Sequence, residues 1–340
     1  MNKYVGIDMA KADFWACFNE ASEPRKFLNN NQGIGNFLTV LKKNNYQKQE
    51  TLLGVESTGG YHLRLCFDCK KSGYKINVMN PLIVKKQSQT SLRSVKTDKK
   101  DALLIRYCLT TGTGYEFSET TDSVVLKSLV RQRDNLSAIK LKLRLQQNEI
   151  VNKEECLKRK INSVYQEVNE TLTQKIKELE KKLKEYRKEE QALLRTIPGV
   201  GPITAISFIS ELGSIDRFKK AKKLTAYVGI DPRVHESGTS VKGKSYITKR
   251  GNKILRTRLY NAASVAVQRP NLFQDFFQKK ISEGKPYRVA LVATMNKMAH
   301  VIHAVWTRGT PLSKKRKLAQ SLELVVHGKG VDGDIVSCTM

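Results

Sequence analysis

Acidic residues are scarce in this sequence: 32 Asp and Glu stand against 61 Lys and Arg over 340 residues, a formal charge of +29. A surplus of that size repels itself unless a polyanion compensates it, so nucleic acid is the expected partner. Long apolar runs are also missing. The longest, such as Ala262–Val267, fall far short of the roughly 18 residues a membrane helix needs, which excludes a helical span. No basic amphipathic helix with a large aromatic face stands out, so a membrane surface is the weaker candidate for the charge. The N-terminus lacks a basic flank followed by an apolar core, and cytoplasm is the expected location. The six cysteines, at 17, 66, 69, 108, 156 and 338, are too scattered for a disulfide framework and fit reduced thiols. Proline is absent between residues 82 and 197, so long helices can run there uninterrupted. With 40% hydrophobic residues the chain can bury sizeable cores, and its length suggests two or three domains.

The positive charge lies in two blocks. Residues 201–320 hold 24 Lys and Arg against 6 Asp and Glu, and residues 71–100 hold 8 against 1, while residues 151–200 are nearly balanced at 12 against 9. From Lys3 to Met79 short β patterns at Tyr4–Asp8, Phe14–Phe18, Leu52–Glu56 and Lys75–Met79 alternate with helical ones at Ile34–Lys43 and Tyr61–Lys71. Pro81 opens another helix, and Thr97 reads as the N-cap of the next, with Asp101 near the capping-box position. This is the pattern of a mixed α/β sheet, over residues 1–122. Residues 123–193 read as long helices: Leu129, Leu136, Leu143, Ile150, Leu157 and Val164 recur every seven residues, and Tyr165, Val168, Leu172, Ile176, Leu179, Leu183, Tyr186 and Leu193 at intervals of three and four. The second set is a coiled-coil seam with one stutter, serving as a spacer or as a dimerising coil.

Residues 194–313 read as a mainly α domain, with helices near Ala205–Leu212, Lys219–Val228, Lys253–Val267 and Tyr287–Trp306 around an irregular stretch Gly229–Gly251. Within Ile197-Pro198-Gly199-Val200-Gly201-Pro202, Gly199 and Gly201 bracket one apolar residue between helices. This is a helix-hairpin-helix turn whose backbone N–H groups suit a DNA phosphate. Residues 314–340 form a basic tail that becomes rich in Gly and Asp, and its last ten residues are expected to be mobile.

Four acids could carry chemistry. Asp8 and Glu56 each end a strand of one sheet, and Asp98 and Asp101, three apart, share a helix face. Four converging carboxylates repel one another unless a cation lies between them, and Mg²⁺ or Mn²⁺ takes such oxygen ligands. Two ions about 3.5–4 Å apart would clamp the entering and leaving oxygens of a phosphodiester. Lys96, Lys99 and Lys100 flank the helical pair and could meet the phosphate backbone. Taken singly, each acid reads as a solvated surface residue or a cap; the set is what points to a site.

Val5-Gly6-Ile7-Asp8, Val55-Glu56-Ser57-Thr58-Gly59-Gly60-Tyr61 and Lys96-Thr97-Asp98-Lys99-Lys100-Asp101-Ala102 together resemble the DEDD transposases of bacterial insertion sequences, the one-ten family. The likeness continues through Ile197–Ala205, Tyr227–Ile230, Pro232–Gly238 and Thr248–Asn252, and so covers about residues 3–310. It implies a RuvC-like (RNase H-like) fold for the N-terminal domain and metal ligation by Asp8, Glu56, Asp98 and Asp101. It also implies a catalytic serine, which falls on Ser237 of Pro232-x4-Ser237-Gly238. A serine hydroxyl is a weak nucleophile that needs a base or metal to take its proton and cations to absorb phosphorane charge. Lys242, Lys244, Lys249, Arg250 and Arg256 supply cations nearby. The resemblance further implies a phosphoserine intermediate, donor and target duplex DNA, a structured noncoding bridge RNA that pairs with both, and a homodimer that becomes a tetramer on DNA. The rival reading is a metal-dependent structure-specific endonuclease in which water attacks and Ser237 is only a phosphate contact.

Other features read plainly. Cys66-x2-Cys69 lacks a second pair and reads as buried thiols. His300 and His303 share an apolar helical face where core packing or a backbone contact is expected, while His62 and His235 lie close in sequence to Glu56 and Ser237 and are candidate proton shuttles.

Overall fold

The computed structural model describes residues 3–19, 22–57, 59–88, 98–149, 155–233, 236–237, 241–242 and 246–312. Its contacts divide the chain into two units, Met1–Ser118 and Glu119–Met340. The first is built on strands β1 (Lys3–Met9), β2 (Asp13–Cys17), β3 (Arg25–Leu28), β4 (Thr51–Glu56), β5 (Lys75–Met79) and β6 (Tyr115–Glu116). They form one mixed sheet in the order β3-β2-β1-β4-β5-β6. β1, β4 and β5 are parallel neighbours at its centre, and β2, β3 and β6 run antiparallel to theirs. Helices α1 (Asn31–Lys43), α2 (His62–Lys71), α3 (Pro81–Ser88) and α4 (Asp98–Thr110) complete the unit.

Side-chain alternation along the central strands assigns the two faces. Val5, Ile7, Leu53, Val55, Ile76 and Val78 are buried with Ile34, Phe37 and Leu41 of α1 and Leu65, Cys66 and Cys69 of α2. The opposite face offers Tyr4, Leu52 and Met79 to Ile105, Cys108 and Leu109 of α4 and Val84 of α3. The result is helix, sheet, helix: a mixed α/β layer fold of the kind expected for an RNase H-like domain. α1 begins where the Asn30 side chain accepts from Gly33 N–H at 2.8 Å. β3 and β6, both at the edges of the sheet, are additions to the strands expected from sequence.

The second unit starts with two long helices, α5 (Thr121–Glu149) and α6 (Glu155–Glu185). They pack antiparallel within one chain: Arg133 bonds Glu180, Lys140 bonds Thr173 and Gln147 bonds Asn162, so one index falls as the other rises. The apolar rows read from sequence are only partly covered by this pairing: Val164 and Val168 stay 60 and 41% exposed, as do Ile139 and Leu141 outside the rows, at 49 and 58%. The remainder is helical: α7 (Lys188–Leu194), α8 (Pro202–Leu212), α9 (Ala221–Val228), α10 (Lys253–Ala266), α11 (Leu272–Ser282) and α12 (Tyr287–Arg308). One apolar core joins them to the start of α5 through Leu126 and Val130 and to the end of α6 through Leu183. Between α9 and α10 lie four two-residue strands, β7 (Pro232–Arg233), β8 (Glu236–Ser237), β9 (Val241–Lys242) and β10 (Tyr246–Ile247). α11 and these strands go beyond the sequence reading. Among the described residues no helix is long and apolar enough to cross a membrane.

Candidate active site

In the first unit the register of β1 on β4 pairs Gly6 with Gly54 and Ile7 with Val55, so Asp8 and Glu56 come next on neighbouring parallel strands. Strands lie about 4.8 Å apart, and period-two alternation puts both acids on the face shared by Gly6 and Gly54. That is the face α4 covers. A Cβ on Gly6 would stand 2.3 Å from the Ala102 carbonyl oxygen and 2.3 Å from the Arg106 nitrogen, and one on Gly54 2.6 Å from a Leu109 methyl. The helix backbone therefore rests on bare glycine, nearer the sheet than any side chain would allow.

Three contacts fix its direction. Arg106 Nε donates to Tyr4 O at 3.1 Å, Ala102 lies over Gly6, and the Lys99 ammonium sits 5.4 Å from the centre of the Trp15 ring. Trp15 is the register partner of Asp8. From Arg106 to Lys99 the helix thus runs towards the carboxyl ends of the strands. Asp98 lies one turn before buried Ala102 and Asp101 one turn before buried Ile105, so both acids continue the helix rows that face the sheet. Asp8, Glu56 and Asp101 are half-buried and Asp98 is exposed.

The donor chemistry and backbone placement fit a hard divalent cation: only oxygen ligands, from two adjacent strand ends and one helix turn. The side chains themselves do not close around one point, and among the described residues no three His, Cys, Asp or Glu side chains group closely enough to hold a metal ion. Lys99 and Lys100 are exposed beside the pair, Lys99 bridging to Glu23 at 2.9 Å. Lys96 and the expected N-cap Thr97 lie outside the described residues. A residue the sequence does not announce, Asn29, donates from Nδ2 to Ala10 O at 3.2 Å and to Tyr61 O at 3.3 Å. It ties the turn after Asp8 to the turn after Glu56. Its position follows from β3, a strand too charged to be read as one.

In the second unit Ser237 stands in β8 opposite Val241 of β9, with Glu236 opposite Lys242. β7 pairs with β10, Arg233 opposite Tyr246. The side chains of Ser237 and Lys242, and all of His235, Gly238 and Lys244, lie outside the described residues. The base of this excursion is closely joined. Thr248 N donates to Asp231 O at 3.0 Å and its hydroxyl to Asp231 Oδ1 at 2.6 Å, and Lys249 N donates to Gly229 O at 3.1 Å. Gly229 has φ +76° and Gly251 φ +129°, and a Cβ on either would strike the Arg250 or the Tyr227 carbonyl oxygen, at 2.4 and 2.3 Å. Arg256 is engaged in this joint, donating to Val228 O at 2.8 Å, whereas Lys249 and Arg250 are exposed.

The two glycines of the expected hairpin turn have different surroundings. A Cβ on Gly199 would meet Ala262 O at 2.1 Å, so this residue seats the turn on α10. Gly201, at the start of α8, faces open space. Of the pair, only Gly201 presents a helix N-terminus that a phosphate can approach.

Next to the joint lies a buried acid. Glu211, in the last turn of α8, is 1% exposed, yet both its oxygens are used. Arg131 of α5 donates to Oε1 at 2.8 Å and to Oε2 at 3.0 Å, and Asn252 Nδ2 donates to Oε2 at 2.8 Å. Burial alone would push this carboxyl up; the Arg131 hydrogen bonds, with the charges of Lys127 and Arg131 and the Asn252 amide, hold it below the usual carboxylate range. Elsewhere, His303 meets Phe218 O at 2.6 Å, burial lowers His300, and burial pushes the Cys69 thiol well up, so these groups serve the core.

This arrangement has known counterparts. A family profile described as a transposase of the DEDD, IS110 type matches residues 5–151, the stretch that holds Asp8, Glu56, Asp98 and Asp101. A second, described as Transposase IS116/IS110/IS902 family, matches residues 191–278, the stretch that holds Ser237 and Glu211. A pilin gene-inverting protein of Moraxella bovis is 28% identical over 322 residues, 92% of this chain and 98% of its own. The transposase for insertion sequence element IS1111A of Coxiella burnetii is 34% identical over 157 residues, 45% of this chain and 43% of its own. With both of its units matched by the profiles of one group, the chain belongs to the IS116/IS110/IS902 family of transposases, enzymes that act on DNA by cleavage and strand transfer.

Proposed function

We propose that this transposase moves its element by serine chemistry, with Ser237 as nucleophile and Asp8, Glu56, Asp98 and Asp101 as the carboxylates that hold Mg²⁺ or Mn²⁺. The observation that carries the reading is the placement of α4, which brings Asp98 and Asp101 to the sheet face and strand ends of Asp8 and Glu56. A divalent ion held there supplies positive charge to a phosphodiester. Ser237 Oγ attacks phosphorus; a serine–phosphate bond forms, the bond to one deoxyribose oxygen breaks, and that oxygen leaves as a hydroxyl carrying a proton. One phosphodiester is exchanged for another, so the reverse attack by a different deoxyribose hydroxyl joins new strands without ATP. Exposed Lys249 and Arg250, with Lys242 and Lys244, neutralise backbone phosphates, as do Lys96, Lys99 and Lys100 beside the carboxylates.

The DNA sequences are chosen by a structured noncoding bridge RNA that pairs with donor and target, which suits a strongly basic chain without an evident recognition helix. The exposed apolar residues Ile139, Leu141 and Val164 on α5 and α6 fit a second copy, and two such dimers meet on DNA as a tetramer at the nucleoid. The test combines purified protein, RNA from the flanking noncoding region, labelled donor and target duplexes and Mg²⁺ on denaturing gels. A protein–DNA adduct lost in Ser237→Ala and in Asp101→Ala, and absent without RNA, is the expected result. Cleavage that survives Ser237→Ala with no adduct would replace this reading with a metal-dependent nuclease.

A further inference from the structure

α8 is an apolar helix, with Ala205, Ile206, Phe208, Ile209 and Leu212 all buried, yet its last turn carries a buried charge. Glu211 is also placed against the helix dipole, which disfavours an anion near a C-terminus. Stability alone gives no reason for it, since well-packed apolar residues commonly replace a buried ion pair at no loss. What the carboxylate does is join two elements. On one side stands Arg131 in α5, whose near neighbour Arg133 bonds Glu180 of α6 and whose neighbour Asp134 bonds Arg258 of α10. On the other stands Asn252, which ends the 229–251 excursion and caps α10, its Oδ1 accepting from Leu255 N at 3.0 Å and its backbone N–H bonding Tyr227 O at 2.8 Å. Tyr227 returns to Glu211 through its hydroxyl, 3.4 Å from the Glu211 carbonyl oxygen.

We infer that Glu211 is a positioning residue for the arm that carries Ser237, fixing the base of that arm to α5 through Asn252. This deepens the serine reading and rests on it for its link to catalysis. The strands described in this arm are two residues long and pair only with one another, so what ties them to the helices is the joint at Gly229, Gly251 and Asn252. Glu211 supplies that joint with a charged acceptor at one place and one angle. Three donors meet its two oxygens, Arg131 Nε at Oε1 and Arg131 Nη2 and Asn252 Nδ2 at Oε2, so a neutral amide would set its own NH₂ group against at least one of them.

Glu211→Gln tests this in the full chain by hydrogen exchange and by adduct formation. Exchange in peptides spanning 225–233 and 246–252 is expected to speed up about tenfold, the factor for one charge-assisted hydrogen bond, while α12 peptides stay at the wild-type rate. The rate of adduct formation is expected to fall about tenfold or more with duplex DNA Kd within about twofold, because position and not contact is lost. The double variant Glu211→Gln with Asn252→Asp moves the carboxylate across the same hydrogen bond, keeps a good N-cap, and is expected to recover both readouts. Should Glu211→Gln lose its wild-type circular dichroism, Arg131→Lys, which keeps the charge but not the two-oxygen bridge, is expected to move both readouts the same way by less. Unchanged exchange in 225–233 and 246–252 overturns the inference whatever the nucleophile. Faster exchange with an unchanged adduct rate overturns the positioning role. An adduct that survives Ser237→Ala would instead sink the serine reading and leave the exchange data to judge the joint.

Discussion

Gly6→Ala is a one-carbon change whose effect can be worked out from contacts. The new Cβ would lie 2.3 Å from the Ala102 carbonyl oxygen, 2.3 Å from the Arg106 nitrogen and 2.7 Å from the Arg106 Cα, where ordinary contact begins at 3.4 Å. All three obstacles are backbone, so no rotamer change relieves them; α4 must lift by about 1.1 Å, the difference between 3.4 and 2.3 Å. Overpacking of this kind costs about 1–3 kcal/mol, and rigid atoms on both sides place the change at the upper end. For a unit of this size that is roughly a 10 °C fall in Tm. The helix that lifts is the one that carries Asp98 and Asp101, and a misplacement of about 1 Å can cost roughly a hundredfold in rate. Calorimetry on the full chain and a strand-transfer assay read the two effects. Gly35→Ala is the control: Gly35 is in α1, a Cβ there meets nothing within 4 Å, and the change should raise stability by about 0.4–1 kcal/mol. A Gly6→Ala protein that melts with the wild type and transfers strands at full rate would refute the argument that α4 seats the site.

Two further outcomes follow from buried groups. The Glu211 carboxyl is held below its usual value near 4.5, so its contribution is complete above that value and is lost as pH falls through the lowered one. The Tm of the second unit should therefore fall steeply below about pH 4.5, and Glu211→Gln should flatten that fall; an identical acid limb in both proteins by calorimetry would count against the pair. At neutral pH, Arg131→Ala should cost about 2–3 kcal/mol, less than a fully buried partner because the guanidinium is half-exposed. Cys17, Cys66, Cys69 and Cys108 are buried, and burial holds the Cys69 and Cys108 thiols above their usual value. Alkylation mapped by mass spectrometry should leave all four unmodified in the native protein and reach them only on unfolding; native labelling of Cys69 at the rate of a free thiol contradicts the packing of α2.

Much of the first unit is legible in sequence because its central strands alternate cleanly and two of them end in an acid. Alternation assigns Val5, Ile7, Leu53 and Val55 to one face and so leaves Asp8 and Glu56 on the other. The edge strands are not legible in the same way. Arg25-Lys26-Phe27-Leu28 opens with two cations, as edge strands often do to discourage pairing with another chain, and Tyr115–Glu116 is too short to show a period. α11 escapes the periodic reading although its start is marked by Asn271, whose side chain accepts from Phe273 N at 2.8 Å; Arg269-Pro270 before it looks like a break. The tilt of α4 is further out of reach. It depends on Gly6 and Gly54 being opposite one another in register, a fact about pairing and not about either segment.

Glu211 shows why the second unit is harder to read than the first. At the end of an apolar helix an acid looks like the solvent-facing close of the segment, and its partners lie 80 and 41 residues away. No local pattern links them. The composition carries the hint instead, for in a chain with about two basic residues to each acid most acids can find a cation at the surface, and a carboxylate that leaves water must be matched on both oxygens. The carboxylates at the strand ends are read from their placement instead. Asp8 and Glu56 stand at the ends of neighbouring strands and Asp98 and Asp101 in the first turn of α4, so the set draws its oxygen atoms from three separate segments. Glu211, matched by arginine on both oxygens, holds two elements together, whereas carboxylates drawn from strand ends and one helix turn offer the all-oxygen donor set that a hard divalent cation takes. The same side chain thus serves as a joint in one unit and as a candidate ligand in the other, and its neighbours decide which.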